Sequence, residues 1–283
     1  MIRPTWFLPL VLVLPISALE RPPLPVELAA YVLEPAPETT GLILKKGDRL
    51  AICGDSITEQ KQYSALLETY LTACLPELEI TSRQYGWSGE AAGGFLKRMR
   101  NDVLRFAPTI ATTCYGMNDF RYVPYDEGIA AEFRKNQTAI VDAFQESGCR
   151  VVLGSPGIID SVPHWVKSAK GTQLDLNLSL SRFRNIGVEI ARTEKVAFAD
   201  LYRPMLLADH AAKKRFGPDF KVAGGDGVHP GWAGQVVMAY GFLKALGVDG
   251  DLGSVTYDEA AGKATAANGH EIVATANGRI SLR

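Results

Sequence analysis

The sequence predicts an α/β domain in which a parallel sheet carries helices on both faces. Three observations predict it. Short apolar or β-branched runs alternate with helix-length segments about five times between residues 48 and 250. Several of these runs, Thr109 to Cys114 among them, read as strands buried on both sides. The unusual loops each follow a strand-like run, so they should open on the carboxyl edge of one sheet, where sites form in such folds.

Taken in order, residues 1–18 read as an export signal: Arg3, then an apolar stretch from Trp6 to Ile16, then the small pair Ser17-Ala18. The stretch is too short for an ordinary spanning helix, and Pro9 and Pro15 interrupt it. The mature chain is expected to start near Leu19 and to be periplasmic or secreted, with no stable membrane association after cleavage; an uncleaved anchor is the rival reading. Residues 19–47 form an expected extended arm, with five prolines between positions 21 and 40. The domain proper is expected over 48–250.

Its first strand is placed at 49–53 and runs into Gly54-Asp55-Ser56. Tyr63, Leu66, Leu67, Tyr70 and Leu71 then fall at helical spacing, predicting one helix from Ser56 to about Cys74. A strand at 79–85 leads to a loop dense in glycine, Gly86 to Gly94, and a helix over 95–105. The β-branched strand 109–115 ends in Gly116-Met117-Asn118-Asp119. A helix at 127–147, a strand at 150–153, an irregular segment at 158–175 with Pro163-His164-Trp165, a helix at 176–193 and a strand at 196–201 follow. A looser region reaches Gly224 to Pro230, and a helix from Trp232 to Leu246 closes the domain. Residues 251–283 alternate at period two and hold Asn268-Gly269 and Asn277-Gly278, which predicts a small antiparallel β appendage; its strand-like last residues leave room for a longer native chain.

Composition limits the function. A formal net charge of −1 with no run of Lys and Arg gives no footprint for nucleic acid. Cys53, Cys74, Cys114 and Cys149 have no C-x-x-C spacing, which disfavours zinc or redox chemistry; Cys53 and Cys114 read as buried thiols, with a bridge between adjacent strands as the alternative. No phosphate loop, dinucleotide fingerprint or H-E-x-x-H motif is present, so no cofactor and no metal are expected.

Ser56 sits where a strand turns into a helix N-terminus, whose free N–H groups and dipole favour negative charge. The same position suits a helix cap, with Asp55, Ser56 or Thr58 in that role. A serine nucleophile needs a base, and the base an orienting group. His229 lies three residues after Asp226; at that spacing the carboxylate can accept from Nδ1–H of the imidazole and leave Nε2 to face Ser56. Ser88 is a rival nucleophile, but its surroundings lack the second glycine of a G-x-S-x-G elbow. Asp119 reads as structural. Tyr115, Tyr122, Trp87 and the pair His164-Trp165 are candidates for pocket walls, and His210 and His270 for exposed positions.

Four segments resemble the motif blocks of the SGNH (GDSL-type) hydrolases, in the family's order: Gly54-Asp55-Ser56, Trp87-Ser88-Gly89-Glu90, Gly116-Met117-Asn118-Asp119 and Asp226-Gly227-Val228-His229-Pro230. The resemblance implies a flavodoxin-like three-layer α/β/α sandwich with a mostly parallel sheet of about five strands. It implies Ser56 as nucleophile, His229 as base and Asp226 as its partner, with the Ser56 and Gly89 N–H groups and the Asn118 amide as oxyanion donors. Gln84 and Glu90-Ala91 depart from the family pattern, which bears on loop packing. The expected activity is hydrolysis of small acyl esters, acetyl above all, on a small molecule or carbohydrate. The alternatives are a lipid esterase or lysophospholipase, and a carbohydrate-binding protein with an idle site.

Overall fold

A computed structural model describes residues 23–267, 269–276 and 279–283. The expected signal peptide, Asn268 and the Asn277-Gly278 turn lie outside the described residues. The chain divides into two compact units, Met1–Ala30 and Tyr31–Arg283. In the first, Val26–Leu28 forms a single 3-10 turn. No described helix is long and apolar enough to cross a membrane.

The second unit contains the sheet. Its strands are β1 (Arg49–Gly54), β2 (Thr81–Gly86), β3 (Ile110–Cys114), β4 (Arg150–Gly154) and β5 (Ala197–Ala199), in the order β2-β1-β3-β4-β5. All four pairings are parallel. This is the doubly wound order whose direction reverses between β1 and β3, so a crevice opens at their carboxyl ends. β1 and β3 are buried almost throughout, whereas the edge strand β2 is half-exposed. That is why β2 alternates in sequence and β3 does not.

The helices are α1 (Ser56–Glu59), α2 (Gln62–Cys74), α3 (Ala92–Asp102), α4 (Glu127–Glu146), α5 (Gln173–Thr193), α6 (Tyr202–Phe216) and α7 (Trp232–Ala245). Rings stitch them into two layers. Tyr63 of α2 stacks on Phe242 of α7, while Phe95 of α3 meets Phe144 of α4 and Phe133 of α4 meets Phe183 of α5. The arm from Tyr31 onward is extended and tied down: Asn185 of α5 donates to the Val32 carbonyl and accepts from the Glu34 N–H, and the Ile43 N–H donates to the Leu246 carbonyl.

Three expectations need correction, and the free-thiol reading of Cys53 and Cys114 holds. The helix expected from Ser56 to Cys74 is two helices, because Lys61 adopts a left-handed conformation with φ 58°. The second starts anew where the Tyr63 N–H donates to Gln235 Oε1 of α7. The looser region after β5 contains the 15-residue α6. Its buried face is Tyr202, Met205, Leu206 and Asp209, so a carboxylate occupies the position where an apolar residue would complete the stripe. Cys53 and Cys114 do not bridge: Cys53 pairs with Thr113 and Cys114 with Gly54, which sends the two side chains to opposite faces, and all four thiols are free. His210, expected at the surface, is half-buried on α6; His270 is exposed.

The C-terminal appendage is two separate antiparallel pairs. β6 (Ser254–Asp258) pairs with β7 (Lys263–Ala267), and β8 (Ile272–Ala276) with β9 (Arg279–Leu282). The first hairpin therefore turns through 259–262. β7 and β8 belong to different sheets.

Candidate active site

The crevice beside β1 and β3 collects the segments singled out above. At the end of β1, Asp55 caps α1: its Oδ1 accepts the Ile57 N–H at 3.0 Å. The cap is thus Asp55, which leaves the Ser56 hydroxyl for other partners. Thr58 bonds to the Tyr63 hydroxyl at 2.8 Å, away from that role.

Ser56 Oγ lies 2.8 Å from His229 Nε2, and His229 Nδ1 lies 2.7 Å from Asp226 Oδ2. The other Asp226 oxygen accepts the N–H groups of Val228 and His229, both at 2.9 Å. These bonds fix the carboxylate and, through it, the ring. Burial pushes the Asp226 carboxyl up, but the two backbone donors and the His229 ring outweigh that effect and hold it below the usual carboxylate range. An ionised Asp226 keeps the Nδ1–H tautomer, so Nε2 is free to take a proton from Ser56.

The loop carrying this pair has no regular structure, and the segment between β4 and α5 secures it. The Asp160 N–H donates to the Gly227 carbonyl at 2.8 Å. The Asp160 carboxylate accepts the Ala223 N–H and the Lys213 ammonium, both at 2.6 Å. Gly227 has φ 81°, and a Cβ there would lie 2.0 Å from Ser161 Oγ, so only glycine lets the two loops touch. Gln235 adds a second tie. Its Oε1 accepts from Tyr63, and its Nε2 donates to the Pro230 carbonyl at 3.2 Å, joining the start of α2 to the residue after His229.

Gly89 adopts φ 73°, and a Cβ there would meet nothing within 4 Å. Among the described residues, neither its N–H nor that of Ser56 has a hydrogen-bond partner. Two free donors near a serine can stabilise a developing oxyanion. The third expected donor is engaged: Asn118 Nδ2 donates to the Glu90 carbonyl at 3.1 Å and to Asp55 Oδ2 at 3.3 Å. Asp119 is structural, accepting the Ala92 N–H at the start of α3 and the Gly116 N–H, both at 2.9 Å.

Beneath these loops lie three carboxylates. Burial, reinforced by the Asp119 and Glu90 charges, pushes Asp55 up to about 7 against its bond from Ile57. Burial likewise raises Asp119 to about 6. Glu90 is answered by Arg98, which donates to it from Nε at 2.7 Å and Nη2 at 2.6 Å, and by the Tyr115 hydroxyl at 3.0 Å. This pair anchors the glycine loop where the sequence departs from the family pattern. Tyr115 and Tyr122 are buried. Trp87 and Trp165 are exposed. Ser88 is exposed, and no bond links it to a histidine. Arg98, Asp160 and Gln235 are parts of the site that the sequence reading missed.

The sequence model of the GDSL-like lipase/acylhydrolase family matches residues 52–237. An acetylxylan esterase from Geobacillus stearothermophilus is 25% identical over 223 residues, covering 72% of this chain and 95% of that protein. Its crystal structure superposes with a TM-score of 0.59 over 73% of this chain and 97% of the esterase, at 20% identity. A gut microbial diltiazem-metabolizing enzyme gives a TM-score of 0.71 at 25% identity over 86% of this chain; the match spans 57% of that enzyme's length.

Proposed function

The chain belongs to the GDSL-like lipase/acylhydrolase (SGNH) family and is a carboxylic ester hydrolase, and from that premise we propose that it removes small acyl groups, acetyl above all, from carbohydrate esters through a Ser56-His229-Asp226 triad. One observation carries the triad: the unbroken line of hydrogen bonds from Ser56 Oγ through the His229 ring to Asp226, at 2.8 and 2.7 Å.

Ser56 Oγ attacks the ester carbonyl carbon while His229 Nε2 takes its proton. The carbonyl oxygen becomes an oxyanion and meets the Ser56 and Gly89 N–H groups. Asn118 joins them by a rotation of its whole amide that gives up its bonds to Asp55 and Glu90. The imidazolium, stabilised by Asp226, then gives its proton to the departing alkoxide and leaves an acyl-serine. Water, activated by the same imidazole, releases the acid. The acetyl and carbohydrate preference draws on the Geobacillus esterase, of which forms with a serine, an aspartate or a histidine replaced are described as catalytic mutants. The same reading places the working protein outside the cytoplasm, with a mature N-terminus near Leu19 that N-terminal sequencing would locate.

Treatment with a fluorophosphonate, followed by mass spectrometry, tests the proposal. The expected adduct is on Ser56, together with turnover of p-nitrophenyl acetate and acetate release from acetylated xylan. An unlabelled Ser56 with no turnover of any ester would favour an idle site on a carbohydrate-binding protein.

A further inference from the structure

The segment between β4 and α5 carries a side chain that the mechanism leaves unused. The Trp165 indole lies against the His229 imidazole, with ring centroids 6.0 Å apart and planes inclined by 29°. His164 meets it edge-on at 5.3 Å. Trp165 remains 41% exposed, although an indole is among the groups that gain most from leaving water.

The direction of the chemistry says what this surface meets. The oxyanion develops toward the Ser56 and Gly89 N–H groups. The leaving oxygen must instead lie within reach of His229 Nε2, which returns the proton to it. The alcohol half of the ester is therefore on the His229 side, and Trp165 flanks that side. We propose that Trp165 is the specificity-determining platform for the leaving alcohol, and that this alcohol is a sugar ring. The inference rests on the esterase reading and names the alcohol subsite of the same centre.

A half-exposed indole suits a ring with one apolar face and a polar rim. The C–H face of the sugar rests on the indole, while its hydroxyls stay in water and cost no desolvation. A lipid chain would need a channel closed on all sides, which a single open ring does not supply. The other described tryptophans fit an extended saccharide. Trp87, 60% exposed, is two residues from Gly89, and Trp232, 66% exposed, is three from His229. Each described tryptophan thus stands exposed in or beside a segment that builds the site.

Two acetyl esters that differ only in the alcohol separate this role from support of His229: O-acetylated xylobiose and ethyl acetate, which has no ring. In Trp165→Ala the ratio of kcat/KM for the sugar ester to that for ethyl acetate is expected to fall by about tenfold, mainly through KM, and Trp165→Tyr to recover most of it. Equal losses on both esters would assign Trp165 to holding His229 and overturn the platform. An unchanged ratio would overturn it as well. A wild-type protein that cleaves ethyl acetate but not the sugar ester would remove the sugar and leave the esterase reading standing. Inactivity on both, with Ser56 unlabelled by fluorophosphonate, would remove the esterase reading itself.

Discussion

Ser56 rides on the first turn after a buried central strand, while His229 hangs on an irregular loop, its side chain 26% exposed. The serine is placed by short-range structure: β1 fixes the approach, Asp55 caps the turn, and the end of β2 abuts it, with the Trp87 N–H donating to the Gly54 carbonyl at 3.0 Å. The histidine loop is held by ties to other parts of the chain: Asp160 before α5 bonds to Gly227, and Gln235 links the Pro230 carbonyl to Tyr63 of α2. The proposed nucleophile is as precise as its backbone. The proposed base sits on a loop that is pinned from outside.

Substitutions can break or sharpen that contrast. Removing the base itself should cost most: His229→Ala is expected to lower kcat by roughly 10⁴-fold or more. A loss below about 100-fold in p-nitrophenyl acetate turnover would mean that another group activates Ser56.

On the serine side, Asn118→Ala should reduce kcat by about 10²–10³-fold if the amide turns to the oxyanion. Wild-type rates would leave Asn118 as a bridge between Glu90 and Asp55 and nothing more.

The pin on the histidine loop should matter less. Asp160→Ala leaves the Ala223 N–H and the Lys213 ammonium without this acceptor, at about 2 kcal/mol of stability. Its kcat is expected to fall about tenfold with KM little changed, because the imidazole loses its aim and the substrate surface stays. A change in KM alone would mean that Asp160 shapes the substrate surface instead.

An effect on stability alone, electrostatic in origin, belongs to the serine side. Asp55, at about 7 when folded and about 3.9 when unfolded, takes up its proton more readily in the folded chain. Stability from this group therefore rises as pH falls from about 7 to about 4, and is lost as pH rises through that window. Asp55→Asn should flatten the dependence of Tm on pH in that window. An unchanged slope would show that Asp55 is ionised throughout.

The same contrast explains what could be read in the sequence. Gly54-Asp55-Ser56 and Asp226-x-x-His229 were legible because each is a local pattern, and the parallel sheet because each strand is a continuous run. The break at Lys61 was not, since the acceptor that restarts the helix is Gln235, 172 residues away. α6 was hidden because Asp209 faces inward and finds Lys213 at 2.7 Å one turn on. Arg98 looks like a surface residue of α3 until Glu90 is folded against it. In each case a polar side chain takes a position that burial patterns reserve for apolar ones.

Ser56 and His229 are 173 positions apart, and that interval is also a delay. At about 5–20 residues per second of synthesis, the serine emerges roughly 10–35 s before its histidine. Through that time its hydroxyl is an ordinary alcohol, with no imidazole to sharpen it. In the proposed triad the serine is thus made inert and meets its base only after all five strands of the sheet have been made.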